Sequence, residues 1–507
     1  MKRPGPIQGR LPIGPTFHLK GWYLVCRVGS PFLYVLLALM AGASLSCVGP
    51  DGNQASEAVF ESLTTVYMDV WKDFYPNRAA QMGLDEYRDR PEDRTPTGVE
   101  AWVSFNDSVL DRISSAPHTL PLDLRIDLRL IRNRGRAELA RWGEEERGEA
   151  DDSPGAESRD FRLGRDRYEA ELRRYYDMEI TPEEVADRAF MEIRVVRTLM
   201  GELAAEHWQE TQERAPTSGQ EQPPGDQEAL IAWALAEMEE NRPSTQQESL
   251  ELFTRFADEA EAFVRDKGIA TLPPTRTLEI VLTPASAGPA QRIGFVDSAP
   301  PFDSTALTVL SLPTIEDTYP EREKEDFYRS FNNHFNKAII VHELFPGHYM
   351  QAKIVSRNPR RVRIFFPYEP YVEGWATLVE KIALDAGWDD FNRLTYLAHL
   401  RKRLENANRA YTSVQVHCFG WTESEVLRFS EEESLLAPQF AKSLWGRLER
   451  SPMQMTSYFM GGDQLTRILE AERERLGDEF DVRALNDRIL QAGPVPFDLI
   501  PEVLASR

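Results

Sequence analysis

Apolar positions recur at intervals of three and four along most of this chain, the spacing of one face of an α-helix. Between Glu57 and about Met82 the stripe is Val59, Leu63, Val66, Val70 and Phe74. Thr181-Pro182-Glu183-Glu184 reads as a helix start, with a threonine cap, a proline in the first turn and a glutamate three residues after the cap. Val185, Ala189, Ile193, Val196 and Met200 continue that helix. A similar start at Thr318-Tyr319-Pro320-Glu321, followed by Phe327, Phe331, Ala338 and Ile339, predicts one long helix. The pattern changes over 271–313, where Thr277-Leu278-Glu279-Ile280-Val281-Leu282 and Thr305-Ala306-Leu307-Thr308-Val309-Leu310 favour strands among prolines. The fold class is therefore mainly α, with a small β element ahead of the long helix. Two polar stretches, 144–160 and 211–228, read as solvated insertions, the second a candidate divider between two helical lobes.

The first residues follow different rules. Positions 1–46 carry five Lys or Arg and no acid, then an apolar run from Phe32 to Met40 that ends in Ala41-Gly42-Ala43-Ser44-Leu45-Ser46-Cys47. This is a secretory signal, too short to span a bilayer comfortably. Small residues before Cys47 resemble a bacterial lipoprotein signal, in which the cysteine is lipidated as the first mature residue. Leu45 stands two places before the cysteine, where that pattern has its aliphatic residue three places before, so ordinary signal cleavage with Cys47 incidental, or an uncleaved anchor, is the alternative. The boundaries expected are a signal over 1–46, a flexible mature N-terminus over 47–56 and a helical domain over 57–507. The place expected is the bacterial cell envelope, at the extracytoplasmic face of a membrane, held there by Cys47.

Removing the signal and its five positive charges lowers the formal balance of −23 to −28. Such a charge repels the phosphate backbone, so a nucleic-acid partner is not expected. Of three cysteines, only Cys418 lies in the body of the chain, and no disulfide is expected there. Beside Phe419 it reads as a packed, inert thiol.

The candidate chemistry lies at Ile339-Ile340-Val341-His342-Glu343-Leu344-Phe345-Pro346-Gly347-His348. In H-E-x-x-H two histidines one turn apart hold zinc and the glutamate activates water. Here the second histidine comes six residues after the first. Six positions correspond to about 240° around a helix, whereas four correspond to about 40°. Pro346 lacks the N–H that would bond the His342 carbonyl, and Gly347 tolerates unusual backbone. Extruding these two residues removes about 200° and returns His348 to the ordinary offset. The alternative is a pair of polar residues at a helix end.

A hydrolytic zinc site has three protein ligands and an open position. Glu373, in Glu373-Gly374-Trp375-Ala376, is the expected third ligand, with Glu380 as its rival; an ordinary first-turn glutamate is the plainer reading. His334 lies about 12 Å along the helix axis from His342 and belongs to the core or to the outer surroundings of the site. His399 reads as structural. The strands before the motif are either an edge for an extended peptide, or a structural hairpin or pair of cover strands.

These residues carry a resemblance. H-E-x-x-P-G-H followed by E-G-W-A resembles the bacterial domain-of-unknown-function 885 family, and the likeness runs from about Phe74-Tyr75-Pro76 to Gly493-Pro494-Val495-Pro496-Phe497-Asp498-Leu499. The resemblance implies a large helical, zincin-like metallohydrolase, related in organisation to thimet-type oligopeptidases and the carboxypeptidase Taq family. It adds Arg409, His417 and Tyr458 as site candidates: Tyr458 and His417 to donate to an oxyanion, where the plainer reading of both is a buried residue with a satisfied polar tip, and Arg409 to bind a substrate carboxylate. Arg409 has a plainer use, an ion pair with Glu405 four residues earlier. Two positions depart from the family: Ser413-Val414 in place of Asp-Thr, and Phe459 in place of Lys.

The expected function is a lipid-anchored zinc peptidase acting on small peptides, with Glu343 as general base. Its rivals are a zinc hydrolase of a non-peptide amide and a non-catalytic envelope binding lipoprotein. Retention of Glu343 speaks against the last, because binding alone needs no base.

Overall fold

A computed structural model describes residues 50–146, 160–214, 222–284, 295–303, 305–436 and 438–506. The signal, Cys47, residues 147–159 and residues 215–221 lie outside the described residues. The first half is a succession of helices: α1 (Pro50–Phe74), α2 (Pro96–Ser114), α3 (Leu122–Glu146), α4 (Arg165–Tyr176), α5 (Pro182–Arg214), α6 (Gln227–Glu240) and α7 (Gln246–Asp266). Helix α1 starts ahead of the expected Glu57, inside the stretch read as a flexible N-terminus. Likewise α3 runs on to Glu146 and α5 to Arg214, so both expected insertions begin as helix.

Local chemistry explains several of the starts. The hydroxyls of Thr95 and Thr245 and the carboxylate of Asp226 accept backbone N–H groups of Gly98, Glu248 and Ala229 at α2, α7 and α6. At α5 the capping box is closed both ways, with Glu184 N–H to Thr181 Oγ1 at 3.2 Å and Thr181 N–H to Glu184 Oε2 at 2.9 Å.

Strands β1 (Leu278–Leu282), β2 (Phe295–Asp297) and β3 (Thr308–Leu312) follow in the order β1-β3-β2. β1 and β3 run parallel, in register Leu278 to Thr308, and β2 is antiparallel to β3. The two strands read from the sequence, β1 and β3, therefore do not form a hairpin with each other: parallel neighbours need a crossover, and the chain between them supplies β2, which carries no sequence signal of its own. β1 is an edge strand, fastened at its start by the Thr277 N–H donating to the buried Tyr349 hydroxyl at 2.8 Å.

The expected long helix is two: α8 (Glu321–Ser330) and α9 (Asn333–Glu343). Asn332 breaks it, because its side-chain oxygen accepts the Phe335 N–H at 3.0 Å and opens a fresh helix. After α10 (His348–Val355) come α11 (Glu369–Asp385), α12 (Arg393–Phe419), α13 (Glu423–Glu432), α14 (Pro438–Arg450), α15 (Pro452–Leu476) and α16 (Val482–Ala492). Helix α12 packs along both α5 and α15, and α11 lies against α15.

The main hydrophobic core among the described residues is continuous from Phe60 to Leu504. The first helices meet the segment after α10 there: Trp71 meets Phe365 and Phe366 edge-on at 5.7 and 5.6 Å, and Asp127 accepts from both Arg360 and Arg363. No helix among the described residues is long and apolar enough to cross a membrane.

Candidate metal centre

Helix α9 stops at Glu343 and α10 begins at His348, so the motif is broken where the proline and glycine stand. The hydrogen-bond ladder records how many residues were extruded. The Met350 N–H donates to the Leu344 carbonyl six residues back, at 3.2 Å, instead of the usual four. The two surplus residues are taken up in the bulge, where the Phe345–Pro346 peptide bond is cis. Gly347 is required there by space alone: a Cβ on it would lie 1.7 Å from the His342 carbonyl oxygen. The Pro346 carbonyl, displaced from the ladder, accepts the Trp375 indole N–H at 3.0 Å. The tryptophan of E-G-W-A thus pins the bulge of H-E-x-x-P-G-H, and the two motifs form one construction.

The bulge brings the histidines together, their ring centroids 4.8 Å apart and nearly perpendicular. His348 Nε2 lies 3.4 Å and His342 Nε2 3.8 Å from Glu373 Oε2. One ligand atom from each of the three residues falls within 4.8 Å of the others. Glu343 stands alongside, its Oε1 4.0 Å from His342 Nε2. Glu373 reaches the site from the second turn of α11, a turn later than the sequence suggests, because that helix begins at Glu369. Its approach depends on glycines. A Cβ on Gly374 would meet Gly461 of α15 at 2.6 Å, and one on Gly461 would meet the Pro370 carbonyl at 2.3 Å.

The rival, Glu380, is not a ligand. It is 1% exposed and accepts the His342 Nδ1–H at 2.7 Å, His399 Nδ1–H at 2.9 Å and Lys402 Nζ at 2.7 Å. The bond to Nδ1 fixes the tautomer that turns the lone pair of His342 Nε2 toward Glu373. Burial raises the Glu380 pKa, but Lys402 and the two histidines outweigh it and hold the carboxylate well below its usual range. His399 is structural in the sense of buttressing Glu380. Lys402 was not singled out by the sequence. The available signal was a seam on α12, since His399, Lys402, Asn406, Arg409, Ser413 and His417 follow one another at spacings of three and four.

The donor set suits a divalent cation. Glu373 Oε2 is buried without a hydrogen-bond partner, and both facing nitrogens are in position to accept rather than to repel a metal. In the absence of an ion, burial pushes the Glu373 carboxyl up while His348 and His342 pull it down further, to about 2. For His348 burial lowers the pKa and the Glu373 charge more than restores it, so it is raised.

The family-derived candidates fare differently. Tyr458, on α15, lies against α11, its carbonyl accepting from Thr377 Oγ1 at 3.4 Å. Its phenol is raised by burial and then by the Glu373 charge, so the two groups share one neighbourhood. The Tyr458 hydroxyl accepts from Arg447 Nη2 at 3.2 Å. His417 has no nitrogen left: Nδ1 accepts the Leu163 N–H at 3.3 Å and Nε2–H donates to the Leu448 carbonyl at 3.0 Å. It stacks on Tyr168 and serves packing, so the expected oxyanion role does not stand. Arg409 makes the plainer bond, an ion pair with Glu405, and a second bond to Asn406 Oδ1 at 3.2 Å. Ser413 is buried between Tyr168 and the Pro452 carbonyl, and Phe459 is buried in the core, so neither departure from the family touches the three candidate ligands. His334 is core, its Nδ1 bonded to Thr395 and its Nε2 to Asn241. The Cys418 thiol is pushed up to about 12, chiefly by burial, and is inert at neutral pH.

Glu373 also forms part of the wall of a cleft of about 840 Å³, together with Tyr175, Glu369, Val372, Gln454 and Ser457. A cleft of that size holds a short peptide or a comparably sized ligand.

Residues 137–504 match a family described as bacterial proteins of unknown function, DUF885. The chain belongs to that family. Two solved structures share its fold. One, from Shewanella oneidensis, is described as a candidate lipoprotein of unknown function; it is 18% identical, with a TM-score of 0.61, over 94% of this chain and 98% of that one. The other, described as a candidate lipoprotein from Colwellia psychrerythraea, is 15% identical with a TM-score of 0.56, over 94% and 79%. Among curated proteins nothing matches.

Proposed function

We propose that this DUF885 member is a zinc-dependent peptidase of the bacterial cell envelope, hydrolysing small peptides, with a zincin-like arrangement of its site. The observation that carries the reading is the convergence of His342 Nε2, His348 Nε2 and the unpartnered Glu373 Oε2, with Glu343 beside them. Two nitrogens and one carboxylate oxygen, with a general base adjoining, are the donor set of hydrolytic zinc. The ion, when bound, supplies Lewis acidity that makes water a nucleophile near neutral pH and polarises a carbonyl.

The chain's own residues do the rest. Glu343 accepts the proton of the attacking water and returns it to the leaving amine. The Glu380 carboxylate keeps the proton of His342 on Nδ1, so that Nε2 stays a ligand. Because the Tyr458 oxygen accepts from Arg447, its own hydrogen is available to the oxyanion that develops on the substrate, an interaction worth about 3 kcal/mol in comparable sites. The cleft beside Glu373 admits an extended short peptide. Anchoring through a lipid on Cys47 is supported by the signal preceding it and by the description of both similar structures as candidate lipoproteins.

The test is metal analysis of protein purified without chelator, together with the Glu343→Gln variant on a peptide library read by mass. One zinc per chain is expected in both proteins, with turnover lowered at least about 1000-fold in the variant. Absence of zinc after purification and after reconstitution would sink the proposal, as would undiminished cleavage by Glu343→Gln.

A further inference from the structure

The polar seam of α12 is partnered at both ends, save for the outer ring nitrogen of His399, and incomplete in the middle. At one end His399 and Lys402 meet Glu380; at the other Ser413 and His417 bond to Pro452 and Leu448. Between them, Asn406 is 2% exposed and its amide nitrogen has no partner. Its oxygen is occupied by Arg409, whose guanidinium lies 4.7 Å from the centre of the Tyr458 ring. Arg447 comes to the same ring from α14, at 5.7 Å, and donates to the Tyr458 hydroxyl. Among the described residues Arg447 has no carboxylate within ion-pair distance, whereas Arg409 is paired with Glu405. Two guanidinium groups therefore share one carboxylate. Burial, and next the charge of Arg409, press the Arg447 pKa below its ordinary value. A half-buried cation with no carboxylate of its own, together with a buried amide donor without an acceptor, is an arrangement completed by an anion.

We propose that Arg447, with Arg409 and Asn406 around the Tyr458 ring, forms a site that binds a carboxylate of the substrate. This rests on the peptidase reading and narrows its substrate class to peptides with a free C-terminal carboxylate or an acidic side chain. The planar fork of Arg447 suits a carboxylate, and Tyr458 joins the site to the neighbourhood of Glu373. The cation expected from the family, Arg409, is already neutralised, so Arg447 supplies the unmatched charge.

Binding is measured by calorimetric titration of zinc-loaded Glu343→Gln protein, which holds peptide without consuming it. Three ligands are compared: acetyl-tetraalanine as free acid, the same peptide as C-terminal amide, and an amide with one alanine replaced by glutamate. At least one carboxylate ligand is expected to bind about tenfold more tightly than the plain amide. Preference for the free acid assigns the site to the C-terminus; preference for the glutamate peptide assigns it to a side chain. Adding Arg447→Met should bring the preferred ligand down to the affinity of the amide. Arg447→Lys, which keeps the charge and is the control should the methionine variant misfold, should retain part of the preference. Equal affinity for all three ligands, or a preference that survives Arg447→Met, overturns the inference. Failure of the peptidase reading is seen separately, as absence of turnover by the zinc-loaded wild-type protein, since the titration needs no cleavage.

Discussion

Glu380 has two oxygens and three donors, and its burial makes each bond consequential. A carboxylate 1% exposed is tolerated because Lys402 neutralises it and two histidines complete its hydrogen bonds. Its contribution to the centre is indirect: it orients His342. Glu380→Gln puts an amide N–H₂ among three donors, so the proton of His342 is no longer held on Nδ1. Zinc affinity is expected to fall about 10- to 100-fold, measured by competition with a chromophoric chelator, with the zinc stoichiometry at saturation unchanged. An unaltered affinity would mean that Glu380 only balances charge. The sequence could not separate this residue from Glu373. Seven residues apart, the two share one face of α11, and periodicity reports the face but not the depth.

At the scale of elements, hydrogen bonds decided what hydrophobic spacing left open. The apolar residues Phe327, Phe331, Ala338 and Ile339 keep helical phase across Asn332, so the break between α8 and α9 is invisible to periodicity. The bulge before His348 was legible because proline and glycine change the backbone in ways their covalent structure dictates. The junction of α9 with α12 is held at His334, where Nδ1–H donates to Thr395 and Nε2 accepts from Asn241. A proton on Nε2 would face the Asn241 amide donor. Burial accordingly lowers the His334 pKa to about 4. Between about pH 6.5 and pH 4 the unfolded chain binds a proton that the folded chain refuses, so stability falls as pH falls through this range. The loss should approach about 3 kcal/mol. Urea unfolding of chelator-treated protein at pH 7 and pH 4.5 should show a smaller loss for His334→Gln than for wild type. An equal loss would show that other groups dominate the acid sensitivity.

On the scale of the whole molecule, one core joins the first and last described helices, and the site is built from α9, α10 and α11 pressed against α12 and α15. The close passage of Gly374 against Gly461 lets α11 carry Glu373 inward while α15 carries Tyr458 to the same neighbourhood. The mature charge of about −28 expected after cleavage concerns what approaches this body from outside, and favours partners other than polyanions. The proposed attachment would belong to the segment before it. Cys47→Ala should shift the protein from the membrane to the soluble fraction on cell fractionation, since durable anchoring needs the acyl chains. Unchanged membrane association would remove the lipid from the account.

By itself the sequence determined the helical class, the two motifs, the bulge and the three candidate ligands, because each depends on residues near one another along the chain or on the chemistry of a single side chain. Its longer-range readings were weaker. For His417 and Arg409 the sequence left two uses open, and the structure has His417 fully bonded and Arg409 paired with Glu405; Arg447 drew no notice, although it has no carboxylate partner among the described residues. Whether a donor is spent or open depends on groups brought to it from distant parts of the chain. Packing alone supplies or withholds those partners, so the tertiary structure decided which polar residues serve the fold and which remain open to a ligand.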